Sequence, residues 1–230
     1  MNKLAKFSAS VGLLLTTVIH AQKPSDRLLN STNHALVLID YQSQMAFATT
    51  SIPNVELRNN VAVVAGASKI FNIPTVITTV GRARTGPVFD EIIQYYPEAA
   101  THTIDRTSMN TWEDVNAYKA ITGTGKKKIV FAGLWTEVCI VGPVLSAIAE
   151  GYDVYFIADA CGGVSTEAHN RGVERMIQAG AQPMTAVQYA LELQRDWSRT
   201  STSGAIDDLL KKYGGVFGIG LEYEKAVLDK

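Results

Sequence analysis

The sequence predicts an α/β fold: a doubly wound, mostly parallel sheet of about six strands with helices on both faces. Three observations carry that expectation. Short apolar or β-branched runs alternate with longer stretches of helical period about six times, with no internal repeat. The runs are continuously apolar, as in strands covered on both faces. The chain has 230 residues, 47% of them hydrophobic, which suits one domain with a sizeable core.

Taken in order, residues 35–40 (ALVLID) form a central strand ending in Asp40. A polar loop leads to a helix over 55–72, on the stripe Val61, Val64, Ala65 and Ile70, and Pro74 stops it. Residues 75–80 (TVITTV) are the second strand. A loop with Arg82 and Arg84 follows, then a short helix over 88–95. Residues 101–104 make a weak third strand, closed by Asp105 and Arg106. Thr111 and Asp114 resemble a capping box opening a helix to about Thr122, ended by Gly123 and Gly125.

Residues 128–132 are the fourth strand and Gly133 breaks it. A helical pattern runs from Val138 to Glu150 on Val138, Val141, Leu145 and Ile148. Residues 153–158 are the fifth strand, and a helix follows over 167–179. Residues 182–185 are a short sixth strand, and a helix spans 186–197. Residues 198–204 are polar and read as a linker, residues 206–213 as a small helix, and the glycine-rich tail has no clear period. The domain is therefore expected over 22–197, with a C-terminal extension over 198–230.

The first residues read as something other than fold. Lys3 and Lys6 precede the apolar run 11–19, and Ala21 offers a small residue for cleavage. This is the order of a secretory signal peptide over residues 1–21, too short for a membrane span. It implies a periplasmic or secreted protein starting near Gln22; the alternative is an amphipathic N-terminal helix. The formal net charge is −1 and the densest basic cluster is Lys126, Lys127 and Lys128, which excludes nucleic acid as an expected partner. Two cysteines, Cys139 and Cys161, are no disulfide framework. Either they pair, or at least one is a working thiol.

In open α/β sheets ligands bind outside the carboxyl ends of the strands. Asp40, Arg106 and Cys139 fall there in three separate crossings. Cys139 sits at the join of a strand end and a helix start, where free N–H groups and the helix dipole favour a thiolate and can hold an oxyanion. A carboxylate to take the thiol proton and a cation to stabilise charge complete an activated nucleophile. Each also has a structural reading. Asp40 could cap a helix, Arg106 could pair with Asp105 or Glu113, and Cys139 could be core. Met45, Phe47, Trp112 and Trp135 could line an apolar pocket beside the three. Gln42 and Asn110 could bind a polar substrate group.

Asp40 after an apolar strand, followed by the run Leu134, Trp135, Thr136, Glu137, Val138, Cys139, resembles the isochorismatase-like cysteine hydrolase superfamily. Residues 104–112 (IDRTSMNTW), the cysteine run and residues 192–197 (ELQRDW) are similar to its YcaC-like branch. The resemblance covers roughly residues 35–197. It implies an Asp–basic–Cys triad of Asp40, Arg106 and Cys139. Many members use lysine as the basic residue; an arginine would act by charge alone. The resemblance also implies a non-proline cis peptide before the motif threonine, here Trp135–Thr136, setting the Thr136 N–H beside that of Cys139 as an oxyanion hole. It implies a homo-oligomer acting on a small molecule. Nicotinamidase-type members carry histidine metal ligands after the second strand; residues 78–84 here contain no histidine. No metal and no cofactor are therefore expected, and nicotinamide is disfavoured.

The expected function is a metal-independent hydrolase of a C–N bond in a small amide, through a thioester. Vinyl-ether cleavage, a thiol redox protein using Cys139 and Cys161, and a non-catalytic assembly are the alternatives.

Overall fold

The computed structural model describes residues 23–228. The signal-peptide reading of residues 1–21 lies outside them. Six strands form one sheet: β1 His34–Ile39, β2 Thr75–Val80, β3 Ile104–Arg106, β4 Lys128–Gly133, β5 Asp153–Ile157 and β6 Gln182–Met184. The spatial order is β3-β2-β1-β4-β5-β6, and every pairing is parallel. The chain winds outward one way from β1 and the other way from β4. The crevice between these two strands is the topological switch point, where such sheets bind ligands.

Alternation along the strands decides the two cores. In β1, Leu36 and Leu38 face one layer, with Leu57, Val61 and Val64 of the helix Asn54–Ile70. Ala35, Val37 and Ile39 face the other, with Ile121 of Val115–Thr122, Val144 of Val141–Ala149 and Met176 of Thr166–Gln178. Both faces are apolar, so the strand reads as an unbroken apolar run.

Several local expectations are corrected. The third strand is Ile104–Arg106, so Arg106 ends the strand instead of following it. It pairs with β2 through Thr78↔Ile104 and Val80↔Arg106, and that register overrides the weak local pattern of 101–104. Thr111 opens only a 3₁₀ turn, Thr111–Glu113. The helix after it is capped by Asp114, whose carboxylate accepts from Asn116 and Ala117 N–H. The helix expected from Val138 starts at Val141, behind a π-type turn over Thr136–Ile140. Residues 198–204 are not a linker: they largely belong to the helix Thr200–Tyr213. Its Ile206, Leu209 and Leu210 are buried in the first core, so burial outweighs the polar start of the segment. The tail forms a further helix, Val216–Leu228, with Val216, Ile219 and Tyr223 exposed. No helix among the described residues is long and apolar enough to cross a membrane.

Candidate active site

Asp40 sits one residue beyond β1 with φ +57°, a left-handed turn that aspartate tolerates better than most residues. Its N–H is held by the Thr78 carbonyl at 3.1 Å, and its own carbonyl takes the Gln42 N–H at 2.8 Å. Across the switch point, β4 ends at Gly133. A Cβ there would stand 2.2 Å from the Ile39 carbonyl oxygen, so only glycine lets the two strand ends close up. The chain then enters the turn Thr136–Ile140, which carries Cys139.

Arg106 reaches in from the end of β3. Its Nη2 donates to Asp40 Oδ2 at 2.6 Å, and its Nη1 donates to the carbonyls of Ser108 and, at 3.4 Å, Met109. Both side chains of this ion pair are wholly shielded from solvent. The Cys139 thiol, 1% exposed, lies close enough to interact with both groups. The three residues drawn together from the sequence thus meet in one buried cluster.

The electrostatics differ from the sequence expectation. Burial pushes the Cys139 thiol up to about 12, the Asp40 charge adds to that, and Arg106 offsets only part. Burial likewise raises Asp40 to about 6 against the pull of Arg106 and the Cys139 hydrogen. The resting pair near neutral pH is therefore a thiol beside a carboxylate; the cation does not hold a thiolate. Desolvation wins because it acts on the isolated charge, whereas the Arg106 charge is shared with Asp40. Asp40 Oδ1 and Arg106 Nε are buried and make no directed hydrogen bond.

The oxyanion expectation is corrected too. The cis peptide is Leu134–Trp135, one bond earlier than expected. Leu134 still bridges Gly162 as an extension of the sheet, and the Thr136 N–H donates to the Gly162 carbonyl at 2.9 Å. The Cys139 N–H donates to the Trp135 carbonyl at 2.9 Å. Both amides are engaged.

The polar pocket residues have structural duties. Gln42 is fully buried and its amide is spent on the loop after β2. It accepts from Val80 N–H at 2.9 Å and donates to Thr85 Oγ1 at 2.5 Å and the Gly86 carbonyl at 2.9 Å. Asn110 caps the 3₁₀ turn and donates to Glu113 and Ser146.

Among the apolar ones, Trp112 is wedged between Tyr118, Phe131 and Tyr152, with its indole N–H on Glu150 at 2.8 Å. Trp135 ties the cysteine segment to the helix Ser43–Phe47 by donating to the Met45 carbonyl and Thr49 Oγ1. Met45 is buried, while Phe47 is 86% exposed and lines an outer cleft of about 500 Å³ with Ser43, Thr49 and Arg58. A larger cleft of about 870 Å³, between Trp197, Phe217 and Leu221, lies on the C-terminal helices; neither cleft is lined by the buried cluster. Arg82, in the segment after β2, donates to the Ala100 carbonyl.

Cys161 and Cys139 are both free and buried, with Cys161 also pushed up to about 12 by burial. Among the described residues no group of three or more His, Cys, Asp or Glu side chains could hold a metal ion. One residue escaped sequence reasoning. His169, on the helix Thr166–Gln178, hydrogen-bonds Thr136 Oγ1 through Nδ1 at 2.8 Å. A half-buried histidine early in an amphipathic helix carries no pattern that would have found it.

The isochorismatase domain model matches residues 34–188. The probable hydrolase YcaC of Escherichia coli K12 is 37% identical over 177 residues, which are 76% of this chain and 84% of that protein. The crystal structure of the E. coli YcaC product, described as an octameric hydrolase of unknown specificity, superposes with a TM-score of 0.80 at 33% identity. That match covers 90% of this chain and all of the other. YcaC from Pseudomonas aeruginosa, solved with hexane-2,5-diol and covalent acrylamide, gives 0.79 at 29% identity, over 87% and 98% of the two chains. With the switch-point cluster and these matches together, the chain belongs to the isochorismatase family and is a hydrolase of its YcaC-like kind.

Proposed function

We propose that the protein hydrolyses a C–N bond in a small amide, with Cys139 as nucleophile, Asp40 as base and acid, and Arg106 as fixed charge. The observation that carries this reading is the pair of open positions inside a closed ion pair. Asp40 Oδ1 and Arg106 Nε are buried and make no other hydrogen bond, and the Cys139 thiol interacts with both residues. As sulfur attacks the carbonyl carbon, its proton passes to Asp40, whose value near 6 suits a base at neutral pH. The negative charge moves to the substrate oxygen, and the Arg106 guanidinium stabilises it. Asp40 then protonates the departing amine, leaving a thioester. Asp40 next takes a proton from water as its oxygen attacks the thioester, and returns a proton to the leaving sulfur.

Covalent acrylamide on the P. aeruginosa relative, an amide joined to an electrophilic alkene, supports a working nucleophile in such proteins. The test is an amide panel with the purified protein, quenched in acid and read by intact mass. An acyl adduct on Cys139 that Cys139→Ser abolishes supports the reading. Full turnover by Cys139→Ser refutes it and favours the vinyl-ether alternative. For that reaction the raised Asp40 carboxyl would serve as proton donor. Two buried thiols, both pushed up to about 12, offer little support to a redox role.

Work as a homo-oligomer outside the cytoplasm belongs to the same proposal. The octameric E. coli relative and the exposed Val216, Ile219 and Tyr223 of the last helix support the first part. The order of Lys3 and Lys6, the apolar run 11–19 and Ala21 in the sequence supports the second. Sedimentation as a single chain at micromolar concentration would refute the assembly.

A further inference from the structure

We infer that His169 is a positioning residue for the nucleophile: its hydrogen bond to the Thr136 hydroxyl holds the turn that presents Cys139 to Asp40. The inference rests on the proposed partnership of Cys139 and Asp40. It starts from how tightly the helix Thr166–Gln178 is pressed on the turn Thr136–Ile140. A Cβ on Gly172 would stand 3.1 Å from Thr136 Cγ2 and 3.3 Å from the Glu137 backbone. One on Gly163 would stand 2.6 Å from Glu137 Oε2 and 3.1 Å from His169 Cβ. Two glycines thus let a helix and a loop close on the turn, leaving no room for side chains between.

In that seam Thr136 is gripped at both ends. Its N–H is on the Gly162 carbonyl at 2.9 Å, and its Oγ1 on His169 Nδ1 at 2.8 Å. Thr136 is fully buried, so a hydroxyl stripped of its partner would be left unsatisfied away from water, which favours a shifted turn over an orphaned one. Glu137, next along, is fixed by accepting the Val164 N–H at 3.0 Å. Cys139 follows two residues later, inside the same turn. Burial keeps His169 neutral, with the Glu137 charge opposing that only in part, so its imidazole can serve the hydroxyl as a steady partner.

A histidine that only fills space would leave the chemistry of Cys139 alone. One that sets the turn should control whether the thiol meets Asp40. That meeting has a signature. Alkylation of a thiol assisted by Asp40 rises as the carboxylate ionises, near pH 6. An unassisted thiol reacts only as it ionises in the alkaline range. The charged or titratable groups acting on Asp40 are Arg106, Cys139 and Asp105, and on His169, Glu137. None is altered in the variants.

The experiment measures iodoacetamide alkylation of Cys139, resolved by peptide mass spectrometry, from pH 5 to 10. The proteins are wild type, His169→Ala, His169→Asn, Thr136→Val and the His169→Ala/Thr136→Val double variant, with thermal unfolding alongside. Wild type is expected to show the limb near pH 6. In His169→Ala and in Thr136→Val that limb should shrink by about tenfold or more, since small displacements of reacting groups carry large rate penalties. The double variant should be no worse than either, because both changes remove one bond. His169→Asn, whose amide can take the place of Nδ1, should restore most of the limb.

A full limb in His169→Ala, additive losses in the double variant, or an Asn variant as poor as Ala would each overturn the positioning role. A wild type without the limb overturns the Cys139–Asp40 partnership and this inference with it. A limb present in wild type and untouched in the variants overturns the inference alone.

Discussion

Replacing Arg106 by methionine should disable the protein through Asp40 more than through Cys139. Asp40 stands at about 6 because burial raises it and Arg106 pulls it back. Methionine keeps the burial and deletes the pull, so the carboxyl midpoint must climb further. A further rise of about two pH units would leave roughly a tenth of it ionised at pH 7. The substrate oxygen also loses its cation, at about 3 kcal/mol or a hundredfold in rate. Together these effects approach a thousandfold in amide turnover at neutral pH, easing as pH rises and Asp40 ionises; alkylation, which forms no oxyanion, reads only the roughly tenfold Asp40 part.

Breaking a buried pair usually costs about 3–5 kcal/mol, part of which the carboxyl recovers here by taking up a proton. The assay is the pH profile of Cys139 alkylation, with thermal unfolding to confirm that the variant is folded. Arg106→Lys should keep the limb near pH 6 and a measurable rate, since it keeps the charge but loses the second contact to the Ser108 carbonyl. If Arg106→Met alkylates like wild type with its limb unmoved, Arg106 does not govern Asp40 and the electrostatic account fails.

Gly133→Ala should be among the most damaging small substitutions, by about 3 kcal/mol in a urea titration, because its Cβ meets the Ile39 carbonyl and not a yielding side chain; an unchanged midpoint would contradict the closeness of β1 and β4. His34 is buried between the Asn30 carbonyl and Tyr189 Oη and is depressed from 6.5 to about 4. The unfolded chain binds that proton first, so stability is lost as pH falls from 6.5 toward 4, by about 3 kcal/mol. Asp40, raised in the fold, works in the opposite sense over much of the same window. A His34→Gln variant that folds should therefore lose less stability on acidification than wild type; equal acid sensitivity would show that His34 is not buried neutral. Protein recovered from an exporting host should begin near Gln22, and an intact Met1 on the soluble chain would refute the leader.

Much of the architecture follows from local chemistry that the sequence displays. β2 lies at residues 75–80 as expected and β1 differs by one residue, because apolar and β-branched runs bounded by turn residues mark buried strands wherever they occur. Asp40 and Cys139 could be placed at strand ends for the same reason, and the chemistry of a thiol near an acid and a cation named them together. The misreadings fell where a distant contact outvotes the local pattern. The register with β2 sets β3, and the Leu36–Leu38 core claims the helix Thr200–Tyr213.

Only the tertiary structure decided what each site residue can do. Gln42 and Asn110 looked free to bind substrate until their amides met Thr85, Gly86, Glu113 and Ser146 from elsewhere in the chain. Phe47 and Trp112 are both aromatic, yet one faces solvent and the other the core. Position at a helix start argued for a lowered Cys139 thiol, and burial raised it instead. His169 gained its place from a contact 33 residues back in the chain. The division has one cause. Periodicity and turn chemistry act between near neighbours and can be read along the chain, whereas desolvation, charge pairing and hydrogen-bond satisfaction depend on which distant groups the fold brings to the same point.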